Sequence, residues 1–251
     1  MTTNIQEQAK AAVELAIKRH GGMKRWEEVD SILVEAYTMG GFGMSRRGLE
    51  NDFPMPKKVR LNPKKGTAIL YDYPEAGRDS IYDNGKVTDV VSGETPVFDN
   101  DNHREKMMSV SRFRRSWDTL DATYFFGYAM IHYASLPYTL LDTKIIDVKT
   151  RSNGDWRTRI DIENPEGAHT HSKFESLYFD ESGLLIRHDY CAEVSSPLAK
   201  AANFLVDYEN VDGYLITKRR KVHFRLGRLK TPLIVMDAGI KVLEITNHQA
   251  A

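Results

Sequence analysis

The run Ala122–Leu141, ATYFFGYAMIHYASLPYTLL, decides how the rest of the chain is read. Asp121 and Asp142 bracket it, and no Asp, Glu, Lys or Arg lies between them. On a helix its rows are Tyr124, Tyr128, Ile131; Phe125, Ala129, His132; and Phe126, Met130, Tyr133. Apolar and aromatic side chains then cover every face, and such a helix lies in lipid or is enclosed by protein. Roughly 20 apolar residues would span a bilayer, and Arg112, Arg114 and Arg115 would suit a cytoplasmic flank. Pro137, however, ends the helix near Leu136 and leaves about 15 residues. The run is therefore expected to be a buried plug helix or the lid of a pocket, with no transmembrane span.

Working outward, residues 4–19 pattern as an amphipathic helix, with Ile5, Ala9, Ala12, Val13, Ala16 and Ile17 on one face and Gly21-Gly22 as its stop. Trp26 and Val29 lead into a first strand at Ser31–Tyr37, followed by a flexible bend at Gly40-Gly41-Phe42-Gly43. Further strands are expected at Val59–Leu61, Ala68–Tyr73, Ser80–Tyr82 and Val87–Val91, the last two joined by Asn84-Gly85. Residues 92–105 read as a loop and 104–136 as helix. Then come Lys144–Thr150, Trp156–Ile162, His171–Phe179, Leu184–Glu193, Phe204–Asn210, Tyr214–Phe224 and Ile240–Ile245. Hairpin-length connections make the sheet antiparallel. The fold class is mainly β (α+β), a single domain over 1–251. A strongly curved antiparallel sheet or half-open barrel wraps a central apolar helix, with an amphipathic helix at the N-terminus.

Lys+Arg and Asp+Glu both number 35, so no global field draws in nucleic acid or an acidic membrane. The single cysteine, Cys191, admits no internal disulfide and reads as a buried thiol. The N-terminal segment has no basic region ahead of a compact apolar core, so a cytoplasmic protein is expected.

The order of elements now supports a resemblance. An N-terminal helix ending in Gly-Gly and a tryptophan, antiparallel strands, plugging helices and more hairpins, with YFDESGLLIRHDY (178–190) as a late hairpin, resembles the LolA/LolB-like lipoprotein-carrier fold. The resemblance is architectural and covers most of the chain. It implies a hydrophobic cavity that shields acyl chains, and it carries over no individual binding residue.

Asp180-Glu181-Ser182-Gly183 suits a type I turn with Gly183 in the left-handed position, which opposes Asp180 with Leu184. Regular pairing from there puts Phe174, Ser176 and Tyr178 on one face with Tyr190, His188 and Ile186, and Glu175 and Leu177 on the solvent face with Arg187 and Asp189. A two-residue loop would instead place Glu175 opposite His188. On the first register His188 and Tyr190 face the interior as candidate catalytic groups, because an imidazole near neutral pH and a phenol can move protons. Tyr124, Tyr128, His132, Phe174, Ser176 and Tyr178 are the candidate ligand contacts. Arg219 is a candidate anchor for a carboxylate or phosphate head group.

His169-Thr170-His171 followed by Glu175 resembles the first half of the cupin metal motif, H-x-H-x3-E, with Glu163 where that motif has glycine and no recognisable second half. Two imidazoles and a carboxylate on one strand face would suit a divalent transition metal; the competing reading is an exposed strand edge. No phosphate-binding loop or nucleophile elbow is present.

The function expected is a cytoplasmic protein binding a hydrophobic small molecule, lipid, polyketide or terpenoid-like, in an aromatic cavity without cofactor. The alternatives are a cofactor-free isomerase or cyclase in the same pocket, and a cupin-like metal enzyme at His169, His171 and Glu175. The sequence leaves the oligomeric state open.

Overall fold

The computed structural model describes residues 2–48, 55–98, 102–110 and 116–248. Arg112, Arg114 and Arg115 lie outside the described residues. Helix α1 (Thr2–Arg19) buries Ala9, Val13, Ala16 and Ile17. Gly21 ends it at φ 122°, where an added Cβ would lie 2.4 Å from the Gly213 carbonyl oxygen. Only glycine fits this approach. The chain then forms a second helix, α2 (Gly22–Glu28), rather than running straight into a strand. Trp26 on α2 stacks on Tyr138 at 4.5 Å and 6°, with Tyr214 beyond at 6.2 Å.

The strands are β1 (Val29–Gly40), β2 (Lys58–Asn62), β3 (Thr67–Tyr71), β4 (Arg78–Asp83) and β5 (Lys86–Val91), then β6 (Lys144–Thr150), β7 (Thr158–Glu163), β8 (Phe174–Phe179) and β9 (Leu185–Cys191), and finally β10 (Lys200–Val211), β11 (Tyr214–Leu226) and β12 (Leu229–Asn247). Among the described residues they form one 12-stranded sheet in the order β5-β4-β3-β2-β1-β12-β11-β10-β9-β8-β7-β6. The paired strands are antiparallel. The sheet is open between β5 and β6, and β12 closes the chain back onto β1. The bend expected at 40–43 is the end of β1 followed by a helical turn, α3 (Phe42–Ser45).

The helical stretch expected over 104–136 is two helices, α4 (His103–Val110) and α5 (Thr119–Ser135). A capping box starts α5: the Asp118 carboxylate accepts from the Asp121 amide at 2.8 Å and Asp121 returns the bond at 3.2 Å. Leu136-Pro137 stops it, because the proline ring disfavours helical backbone at the preceding residue. The uncharged run is buried as expected: α5 packs on β2, β3, β4 and β5 within the curve of the sheet. Gly127 lets it approach β4 so closely that a Cβ would lie 2.4 Å from the Tyr82 side chain. No helix among the described residues is long and apolar enough to cross a membrane.

Inward positions alternate with outward ones along each strand. Val59 and Leu61 on β2 and Ala68 and Leu70 on β3 are buried between half-exposed neighbours. The β8–β9 hairpin departs from regular pairing. Its turn is as expected, with the Asp180 amide bonded to the Leu184 carbonyl at 3.0 Å. But Phe179 pairs with Leu185 while Tyr178 pairs with Arg187, so Ile186 is a bulge. Beyond it His188 pairs with Leu177 and Asp189 with Ser176. The two faces assigned to β8 are therefore exchanged relative to the regular register. Glu175 and Leu177 turn inward with His188, and Phe174, Ser176 and Tyr178 turn outward with Arg187 and Asp189.

Candidate functional site

Between α5 and the sheet lies a cavity of about 620 Å³. Phe125, Tyr128, Ala129, His132 and Tyr133 of α5 form one wall. Glu175 of β8 and His188 and Tyr190 of β9 form its polar side. Val222, Phe224 and Met236 from β11 and β12, with Trp117 and Phe42, complete the apolar lining, and Arg46, Arg47 and Lys200 bring positive charge to it. Arg47 donates to the Ser195 carbonyl at 2.8 Å, and its guanidinium lies 5.1 Å from the Trp117 ring centre.

Glu175 is the centre of the polar side. Its Oε2 accepts from His188 Nε2 at 2.9 Å and lies 3.2 Å from His132 Nε2. Its Oε1 accepts from the Thr170 hydroxyl at 2.7 Å. Burial opposes the charge on this carboxylate, but the two imidazoles outweigh it and hold Glu175 well below the usual range. His188 is driven down by burial, against the pull of Glu175 upward. Arg104 of α4 clamps the loop that supplies Thr170, donating to the carbonyls of Ala168 at 3.0 Å and Thr170 at 2.9 Å.

Of the residues singled out in the sequence, Tyr128, His132, His188 and Tyr190 line the cavity. Tyr124 stands behind the lining: fully buried, its hydroxyl bonds His171 Nε2 at 2.6 Å. Phe174, Ser176 and Tyr178 do not reach the cavity, because the Ile186 bulge puts them on the outer face. There Ser176 donates to Asp161 at 2.6 Å, and Tyr178 donates to Asp189 at 3.2 Å. Arg219 is not in the lining either; it forms a two-point pair with Asp237 at 3.0 and 2.9 Å. The next residue, Arg220, is the buried one. Its guanidinium lies 4.2 Å from the Tyr133 ring centre, and it donates to the Thr217 hydroxyl at 3.2 Å.

The set His169, His171 and Glu175 is not brought together. His169 and His171 sit in the loop ahead of β8, where strand alternation does not apply. His169 Nδ1 meets the Tyr82 hydroxyl at 3.0 Å, and His171 is held by Tyr124. Burial lowers both, His169 to about 4 and His171 to about 3. The histidines that meet Glu175 are His132, from α5, and His188. Both had stood out singly, but no local spacing links a helix residue to a strand pair so far along the chain. Thr170, Tyr133 and Arg220 carried no signal beyond their residue type. Cys191 lines the cavity half-buried, its thiol raised chiefly by burial.

No protein-family model and no curated protein matches the chain. Among solved structures it is similar to a LolA superfamily protein from Nitrosomonas europaea, with a TM-score of 0.50 and 9% identity over 97% of this chain and 94% of that one. It is also similar to a DUF1329 family protein from Desulfovibrio piger, with a TM-score of 0.46 and 11% identity over 95% and 92% of the two chains. At such identity the likeness lies in the backbone: the fold is LolA-like, an open antiparallel sheet curved around a helix.

Proposed function

We propose that this protein encloses a predominantly apolar small molecule between α5 and the sheet. The observation that carries the reading is the cavity of about 620 Å³, within the range of roughly 300–1,000 Å³ typical of small-molecule sites. Aromatic and aliphatic side chains make up most of its wall, with one polar group at Glu175, His132 and His188 and positive charge from Arg46, Arg47 and Lys200. Water in such a space is released when apolar surface replaces it, which favours binding by about 25 cal/mol per Å² of apolar area covered. The few polar groups then orient the guest.

The test is titration with two fluorescent apolar probes, cis-parinaric acid and N-phenyl-1-naphthylamine. The expected result is saturable binding of at least one of them at one equivalent. Ala129→Phe, which extends a ring into the cavity from α5, weakens that binding at least tenfold; Ala129→Leu serves if the larger residue does not fold. No saturable binding of either probe, or binding indifferent to a folded Ala129 variant, overturns the reading.

A further inference from the structure

We propose that His132, Glu175 and His188 form a binding site for a divalent transition metal. The site goes beyond the enclosure of an apolar guest and does not depend on it. Three separate elements bring the groups together: α5 supplies His132, β8 Glu175 and β9 His188. Each offers one ligand atom, and these atoms all lie within 4.8 Å of one another. All three residues are buried, at 7%, 3% and 1% exposure.

The spacing suits three ligands on one metal as well as it suits the hydrogen bond between His188 and Glu175. Metal bonds to imidazole nitrogen and carboxylate oxygen are about 2.0–2.2 Å, so neighbouring ligands on one metal stand on the order of 3 Å apart. The two imidazole nitrogens lie 2.9 and 3.2 Å from Glu175 Oε2. His132 Nε2 pairs with that oxygen but without the alignment of a good hydrogen bond. A buried ring nitrogen that is poorly aligned with its partner recovers little of its desolvation cost. Its position is accounted for if its lone pair is aimed at a point shared with the other two ligands rather than at the carboxylate.

The surroundings fit the same role. The Thr170 hydroxyl occupies Glu175 Oε1 and leaves Oε2 to face the two imidazoles, the kind of outer partner that orients metal-binding carboxylates. Two imidazoles and one carboxylate suit borderline divalent ions such as iron, zinc, cobalt or manganese, and three protein ligands leave positions open. The same three residues line the cavity, so those positions face the space where a guest would sit. A guest bearing an oxygen donor is the chemical class that such an ion would hold.

The experiment uses the full chain, stripped with a chelator and titrated with Co(II) while visible absorption is followed, and with Zn(II) by calorimetry. The expected result is one equivalent bound with a micromolar or lower dissociation constant. Glu175→Gln and His132→Ala each weaken binding by roughly 100-fold, while His169→Gln leaves it unchanged. Circular dichroism verifies that each variant is folded, and the wild-type stoichiometry stands apart from any variant. Binding of less than a tenth of an equivalent overturns the proposal. So does one equivalent that survives both ligand substitutions. Apolar-probe binding without metal binding removes this site and leaves the enclosure reading intact; metal binding without probe binding does the reverse.

Discussion

Glu175 lies 2.9 Å from His188 Nε2 although the two are not cross-strand partners; His188 pairs with Leu177, and Glu175 reaches it along the diagonal of the hairpin. The Thr170 hydroxyl holds the other carboxylate oxygen at 2.7 Å while accepting the Ser172 amide at 3.1 Å. Thr170→Val keeps the shape and removes both bonds. A buried carboxylate short of a donor costs about 1–3 kcal/mol, and the variant is expected to melt lower than wild type. An unchanged melting temperature would mean that the hydroxyl contributes nothing to holding Glu175.

Gly127 is the point at which α5 comes nearest to β4. A Cβ there would stand 2.4 Å from both Cβ and Cγ of Tyr82. Tyr82 is itself buried and bonded to His169, so it has little freedom to retreat. Helix propensity alone favours alanine over glycine by about 1 kcal/mol, but overpacking costs about 1–3 kcal/mol. Gly127→Ala is expected to lower the midpoint of urea unfolding, and a rise in that midpoint would contradict the close approach.

Stability should fall on the acid side. Burial, with Arg104 nearby, holds His171 down to about 3; burial, with His132 and Arg104, holds His169 at about 4. His20, buried beside Tyr208, is also lowered to about 4, chiefly by burial. Each is neutral in the folded chain and protonates near pH 6.5 once unfolded. Their contribution is therefore complete above about pH 6.5 and is lost as pH falls toward the folded values, at up to about 1.4 kcal/mol per pH unit for each group. Glu175, also lowered, acts with the same sign but below its ordinary carboxylate range. Scanning calorimetry should give a melting temperature level from pH 7 to 8 and declining from about pH 6.5 to 4. His171→Gln should flatten that decline.

The parts of this molecule that could be read from the sequence are those set by neighbours along the chain. Asn84-Gly85 announced its hairpin, and both residues adopt positive φ, 47° and 95°. The uncharged run between Asp121 and Asp142 announced a helix that something must enclose, and the sheet encloses it. What could not be read is set by distant partners. Nothing local to His132 indicates that Glu175 and His188 will meet it. A bulge at Ile186 leaves no mark in a strand whose residues would pair regularly just as well, yet it decides which face of β8 meets the cavity. One residue of slip carried Phe174, Ser176 and Tyr178 from one side of the sheet to the other.

That bulge yields the sharpest test of the register. Tyr178 pairs with Arg187 and Phe179 with Leu185, so Ile186 is the extra residue and the ladder is in phase on both sides of it. Removing Ile186 joins Leu185 to Arg187 and gives a regular hairpin in which His188 and Tyr190 still face inward. Ile186 itself is only half-buried, so little core is lost. The deletion is expected to fold, with a cost of about 1–2 kcal/mol from altered strand twist and lost side-chain burial, and to keep apolar-probe binding. Were Ile186 instead a regular partner of Tyr178, the same deletion would turn His188, Tyr190 and every residue up to the next strand to the opposite face. Arg187 and Asp189 would then point into the cavity, and both stability and binding would collapse. Circular dichroism and a probe titration on this single variant separate the two outcomes.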